Sequence, residues 1–222
     1  MTMLAYHSDP KIKAKYLKRV RAHAKADQLL QGYGYWTDGK GCAVGCTIHG
    51  SDHSRYPIEL GIPAEIAYLE DSCFEAMSSA LARKWPARFL SAIKPGADLA
   101  RVYDLWCAWM LDDPTDGVIV KVSDKFPDIQ RIVRKTAQDC RDGQRVNAAR
   151  AAEAAEAAWA AWAAEAARAA EAAWAAWAAR AARAAWAAWA AWAARAARAA
   201  WAARAARAAK QADKLIELLK AA

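Results

Sequence analysis

Beyond Gly143 the chain has neither glycine nor proline for its last 79 residues. The two residue types that most strongly interrupt a helix are therefore missing from more than a third of the molecule. Long hydrophobic runs are missing as well. Spanning a membrane takes roughly 18 or more consecutive apolar residues, and the longest uncharged run of this tail, Ala184 to Ala194, has 11. The opening MTMLAYHSDP shows no basic segment followed by an apolar one, so no signal peptide is read and a cytoplasmic location is expected. Cysteine is sparse: there are five, an odd number, and Cys73, Cys107 and Cys140 stand singly in helical contexts. That excludes a disulfide framework and suits a reducing compartment.

Hydrophobic residues reach 56%, but most of the alanine behind that figure lies beyond residue 147, where each residue buries little area. The net charge of +8 is also uneven. From Gln144 onward there are 12 basic and 6 acidic residues, against 20 and 18 before it. The basic excess belongs to the tail, and the nearly neutral front part suits a globular domain.

In that front part, Asp9 as an N-cap and Pro10 in the first turn predict a helix. Its apolar spacing through Ile12, Tyr16, Leu17, Val20, Ala24 and Leu29 carries it to Gly32. Six of the ten glycines then fall between Gly32 and Gly50. That density predicts a structured loop of about 25 residues with neither helix nor strand, and a loop of that length more often carries a function than a mere connection. Helical spacing resumes over Ala64–Met77 (Ile66, Leu69, Cys73, Phe74, Met77) and over Leu81–Ile93, broken near Pro86. It continues from Asp98 to Leu111, with Leu99, Val102, Leu105, Trp106, Trp109 and Met110 inward, and over Phe126–Arg141. Val118–Val122 is too short to assign.

From Ala151 to Lys210 the tail is a strict A-A-x triplet whose x residues form four blocks of 15. In order they read EEWWE, REWWR, RWWWR and RWRRK. This is an internal repeat, and alanine makes it helical. Fifteen residues over four turns give about 3.75 residues per turn, so the Trp stripe drifts in the right-handed sense. Eight indoles, Trp159, Trp162, Trp174, Trp177, Trp186, Trp189, Trp192 and Trp201, are expected at a helix–helix interface. Glu153, Glu156, Glu165 and Glu171 lie in the first half of the tail, and Arg180, Arg183, Arg195, Arg198, Arg204, Arg207 and Lys210 in the second. Antiparallel pairing sets opposite charges side by side.

Cys42, Cys46, His49 and His53 fall within 12 residues and are candidate zinc ligands, since thiolate and imidazole suit a tetrahedral ion. Against this, structural zinc sites usually draw two ligands from each of two elements. The plainer reading makes the cysteines small buried residues and the histidines polar loop residues. Cys42 could instead be a nucleophile with His49 or His53 as base, though no third orienting group is identifiable. Asp38-Gly39-Lys40-Gly41 has a weak anion-binding look but lacks the phosphate-loop pattern. Tyr33, Tyr35 and Trp36 either stack on a ligand or cover the core.

The motif GKGCAVGCT (Gly39–Thr47), preceded by DPKIKAKYLKRVRAH and followed by an Ala/Trp/Glu/Arg tail, resembles a family of uncharacterised bacterial and phage proteins. The family carries no established activity, so the resemblance implies a bacterial or phage origin and little else.

The expected fold is all-α: a helical globular domain over 1–143 with a Gly-rich Cys/His loop, then a long Ala/Trp-rich helix over 144–222. The expected function is non-enzymatic binding or scaffolding, the helix making an antiparallel homo-oligomer or docking a partner's helices. The alternative is nucleic-acid binding through Arg195, Arg198, Arg204, Arg207 and Lys210. A zinc- or thiol-dependent enzyme centred on the Cys42–His53 loop is third. No cofactor is expected other than zinc at that loop.

Overall fold

The computed structural model describes residues 3–32, 35–144, 160–161, 164–165, 168 and 185–222, with side chains in the last segment from 199 onward. The described chain is mainly α, with one small antiparallel hairpin among the described residues. It divides into two compact units: Met1–Trp106 together with Arg204–Ala222, and Cys107–Ala203. The last turns of the tail group with the front of the chain, and residues 107–143 group with the rest of the tail.

In the first unit, α1 (Pro10–Lys25) begins as expected, with Asp9 Oδ1 accepting from the Lys11 N–H at 2.7 Å. Tyr16 and Val20, one turn apart, are its buried residues. The helix stops well short of Leu29. Asp27 takes a left-handed φ of 56° and turns the chain, and Leu29 forms an isolated parallel bridge with Gly41. The glycine-rich segment is not free of regular structure. Strands β1 (Trp36–Thr37) and β2 (Lys40–Gly41) pair across an Asp38-Gly39 turn, and α2 (Ala43–Ile48) follows at once. Both turn residues have positive φ, 52° and 78°, the requirement of a two-residue hairpin loop that Asp-Gly meets most readily. All six residues of α2 are buried, so tertiary burial outweighs its poor local helix signal.

Next come α3 (Arg55–Leu60), which the sequence pattern does not announce, and α4 (Ala64–Ala76), which it does. Ile66, Leu69, Cys73 and Phe74 of α4 are buried as expected, and so is Glu70. Burial pushes the Glu70 carboxyl up to about 8, and the Tyr56 hydroxyl donates to its Oε2 at 2.6 Å. The next expected helix is split into α5 (Ser79–Ala82) and α6 (Trp85–Ala92), with Pro86 in the first turn of α6. Helix α7 (Val102–Asp112) starts later than expected, because Asp98 closes a turn by accepting from the Ala100 N–H at 3.0 Å. Leu99 and Val102 are buried, whereas Leu105 is 37% exposed, and Ala108 and Leu111 take the inward positions.

The long C-terminal helix is continuous over Ala185–Ala221. Its last turns carry Ala208, Ala212, Leu215, Ile216 and Leu219 into the same core as Tyr6, Tyr56, Phe74, Trp85 and Phe89. Each fully buried Leu or Ile contributes on the order of 1.5–3 kcal/mol. The Arg88 guanidinium donates to Asp213 Oδ1 at 2.6 Å, and the Trp106 indole N–H to the Gln211 carbonyl at 3.2 Å.

In the second unit, α8 (Pro127–Arg141) and a 3-10 turn over Val118–Lys121 enclose a small core of Leu111, Val122, Val133 and Ala137. Arg141 grips both oxygens of Asp112. A groove of about 630 Å³ lies between Asp112, Ile119, Val122, Gln130 and Arg134. No described helix is long and apolar enough to cross a membrane.

Candidate functional site

The Gly-rich motif is a docking device for one carbonyl. The Cys42 N–H donates to the Tyr35 carbonyl at 3.2 Å. A Cβ added at either Gly41 or Gly45 would overlap that same oxygen. The glycines therefore let the backbone of β2 and α2 close onto the strand before them. This contact places Cys42 at the N-cap of α2, its Sγ accepting from the Gly45 N–H at 3.5 Å.

From there Cys42 meets α4. Asp71 and Glu75 are four residues apart on that helix and so share a face. One ligand atom from each of Cys42, Asp71 and Glu75 lies within 4.8 Å of the others, the group of metal-ligating side chains that converges among the described residues. Glu75 Oε2 also accepts from the Gly32 N–H at 2.8 Å, which ties the loop to this helix. Burial pushes the Cys42 thiol strongly upward, and its hydrogen bond with Asp71 adds to the effect; the Gly45 N–H pulls the other way and loses. The thiol is thus protonated at neutral pH, and a protonated thiol is a poor nucleophile.

His53 completes the surroundings. Its ring stacks on Tyr68 at 4.1 Å and meets Tyr35 edge-on at 5.1 Å. The residue is 4% exposed, and its Nε2 stands 3.9 Å from Asp71 Oδ2. That is beyond hydrogen-bonding distance, and neither His53 Nε2 nor Asp71 Oδ1 has a hydrogen-bond partner. A buried polar atom left unsatisfied costs roughly 1–3 kcal/mol.

The four expected zinc ligands do not gather: no three of Cys42, Cys46, His49 and His53 bring their ligand atoms within 4.8 Å of one another. Cys46 faces inward, its thiol donating to the Gly41 carbonyl at 3.5 Å, with burial pushing it up to about 12. His49 turns to another cluster, stacked on Trp36 at 4.4 Å with its Nε2 2.9 Å from His23 Nε2. One turn of helix separates Cys42 from Cys46, and the left-handed cap at His49, with φ 52°, redirects the chain before His53. Asp71 and Glu75 escaped notice because they are an ordinary acidic pair on an amphipathic helix. Only the chain's return past Cys42 gives them a meaning.

Of the tail residues expected at an interface, Trp159, Trp162, Trp174 and Trp177 lie outside the described residues. Trp186, Trp189 and Trp192 lie on the C-terminal helix with their side chains outside the described part, as do Arg195 and Arg198. Trp201 is 76% exposed. Arg204, Arg207 and Lys210 are exposed as well. Comparison with known proteins finds no family model that matches the chain, no similar curated protein and no similar solved structure.

Proposed function

We propose that the protein is a non-enzymatic binding or scaffolding protein whose Ala/Trp helix mediates homo-oligomerisation or docks a partner's helices. The observation that carries this reading is Trp201, a large indole left 76% exposed on a helix whose last turns are sealed into a core. Leu215, Ile216 and Leu219 anchor the end of the helix, and the Trp repeat precedes them in the sequence. Alanine at two of every three positions lets a second helix approach closely, and each indole then buries on the order of 200 Å². Antiparallel pairing follows from the acidic-to-basic order of the charges. Burial and the Asp71 hydrogen bond, which push the Cys42 thiol upward, count against a thiolate nucleophile there. The bacterial or phage origin drawn from the loop motif belongs to the same proposal.

The test uses the full chain, since a chain cut at Gly143 would lose Ala208, Ala212, Leu215, Ile216 and Leu219 from the core. Replacing Trp174, Trp177, Trp189 and Trp192 by Ala is expected to preserve helicity, because alanine is the better helix former. The mass in solution should fall. A wild-type chain that is monomeric and binds no helical partner overturns the proposal. The exposed Arg204, Arg207 and Lys210 favour nucleic acid as the second reading. There, affinity for duplex DNA would drop steeply with salt, whereas Trp-driven assembly would persist.

A further inference from the structure

Three features meet around Asp71. Cys42, Asp71 and Glu75 bring a thiol and two carboxylates within 4.8 Å of one another. Next to them His53 Nε2, on a residue 4% exposed, lies 3.9 Å from Asp71 Oδ2 and has no hydrogen-bond partner. Asp71 Oδ1 is buried and equally without a partner.

We propose that Cys42, Asp71, Glu75 and His53 hold one zinc ion. Sulfur and imidazole donors exclude the hard cations calcium and magnesium, and a four-donor S, N, O, O set fits the tetrahedral preference of zinc. Donors sharing such an ion stand roughly 3.3–3.8 Å apart. Side-chain rotations would close the Cys42, Asp71 and Glu75 donors onto it, while His53, outside that 4.8 Å group but 3.9 Å from Asp71 Oδ2, would swing in as the fourth. On binding, the Cys42 proton leaves to solvent and the sulfur–metal bond forms, with no change of oxidation state. The ion would clamp the start of α2 and the loop before α3 to α4. The Gly32 N–H on Glu75 Oε2 would orient one carboxylate from outside. This set differs from the local one in the sequence, sharing only Cys42 and His53 with it.

The test titrates zinc chloride into full-length protein purified with chelator, using a competing chelator to read affinity and melting temperature to read stabilisation. One equivalent bound per chain with a raised melting temperature is expected. Cobalt(II) in place of zinc should give a thiolate charge-transfer band in the near ultraviolet. Cys42→Ser should remove the band, and Asp71→Asn and Glu75→Gln should each weaken zinc binding at least about tenfold. Glu75 is exposed, so Glu75→Gln is expected to keep the wild-type circular dichroism. Cys46→Ser and His49→Gln should bind as the wild type does. The proposal is overturned if folded wild type binds no zinc or if Glu75→Gln binds it unchanged. A band that survives Cys42→Ser but disappears in Cys46→Ser overturns it in favour of the local Cys/His set.

Discussion

His23 Nε2 and His49 Nε2 face each other at 2.9 Å, and a hydrogen bond between them needs one N–H and one lone pair. Only when both rings are cationic are two N–H groups forced head to head. Burial holds His49 below the usual histidine range, and Arg19, His23 and Arg55 push the same way against the opposing pull of Glu59. The sign follows directly: below about 6.5 the unfolded chain takes up a proton that the folded ring resists. Stability attached to His49 is therefore complete above that pH and is lost as pH falls towards the folded value. In denaturant titrations, the stability gap between wild type and His49→Gln should shrink between neutral pH and pH about 5. A gap independent of pH would remove the pairing from the account. Such roles are hard to read in a linear chain. His49 and His53 are both loop histidines four positions apart, yet one pairs with His23 from α1 and the other lies orphaned against Asp71 from α4.

At the scale of elements, legibility tracks length and period. Helices α1, α4 and α8 carry caps or an unbroken apolar stripe over 13 to 16 residues, and the spacing locates α4 and α8 to within a position or two and the start, though not the end, of α1. The six-residue helices α2 and α3 are too short for periodicity to register, and they owe their existence to burial. The hairpin did have a local signal in Asp38-Gly39, which the surrounding glycines obscured. The end of the tail had one too. Leu215, Ile216, Leu218 and Leu219 are its only leucine and isoleucine residues and stand just past the last triplet. Leu219 is completely buried. Replacing it with Ala should cost about 2–5 kcal/mol in urea unfolding. A loss below about 0.5 kcal/mol would be that of a solvated helix end, incompatible with anchoring.

For the whole molecule, the direction of helix pairing rests on where the charges lie. Exposed ion pairs contribute only ~0–1 kcal/mol each, so direction would come from several acting together. Changing Glu153, Glu156, Glu165 and Glu171 to Lys should weaken self-association at low salt, and about 1 M salt should narrow the difference by screening. Glu165 already faces Lys125 at 3.4 Å, so the same series with Glu165 retained separates that contact from pairing between chains. Undiminished association of both series at low salt would mean that the charge order does not set helix direction. Composition and period alone determined a mainly helical chain and a 15-residue Ala/Trp repeat, because helix propensity and apolar spacing act over neighbouring residues. Tertiary structure alone decided that Cys42 meets Asp71 and Glu75 rather than Cys46 and His49, and that the last turns of the tail complete the core of the front unit. Those outcomes depend on which distant segments the burial of apolar surface brings together, and no local spacing encodes that.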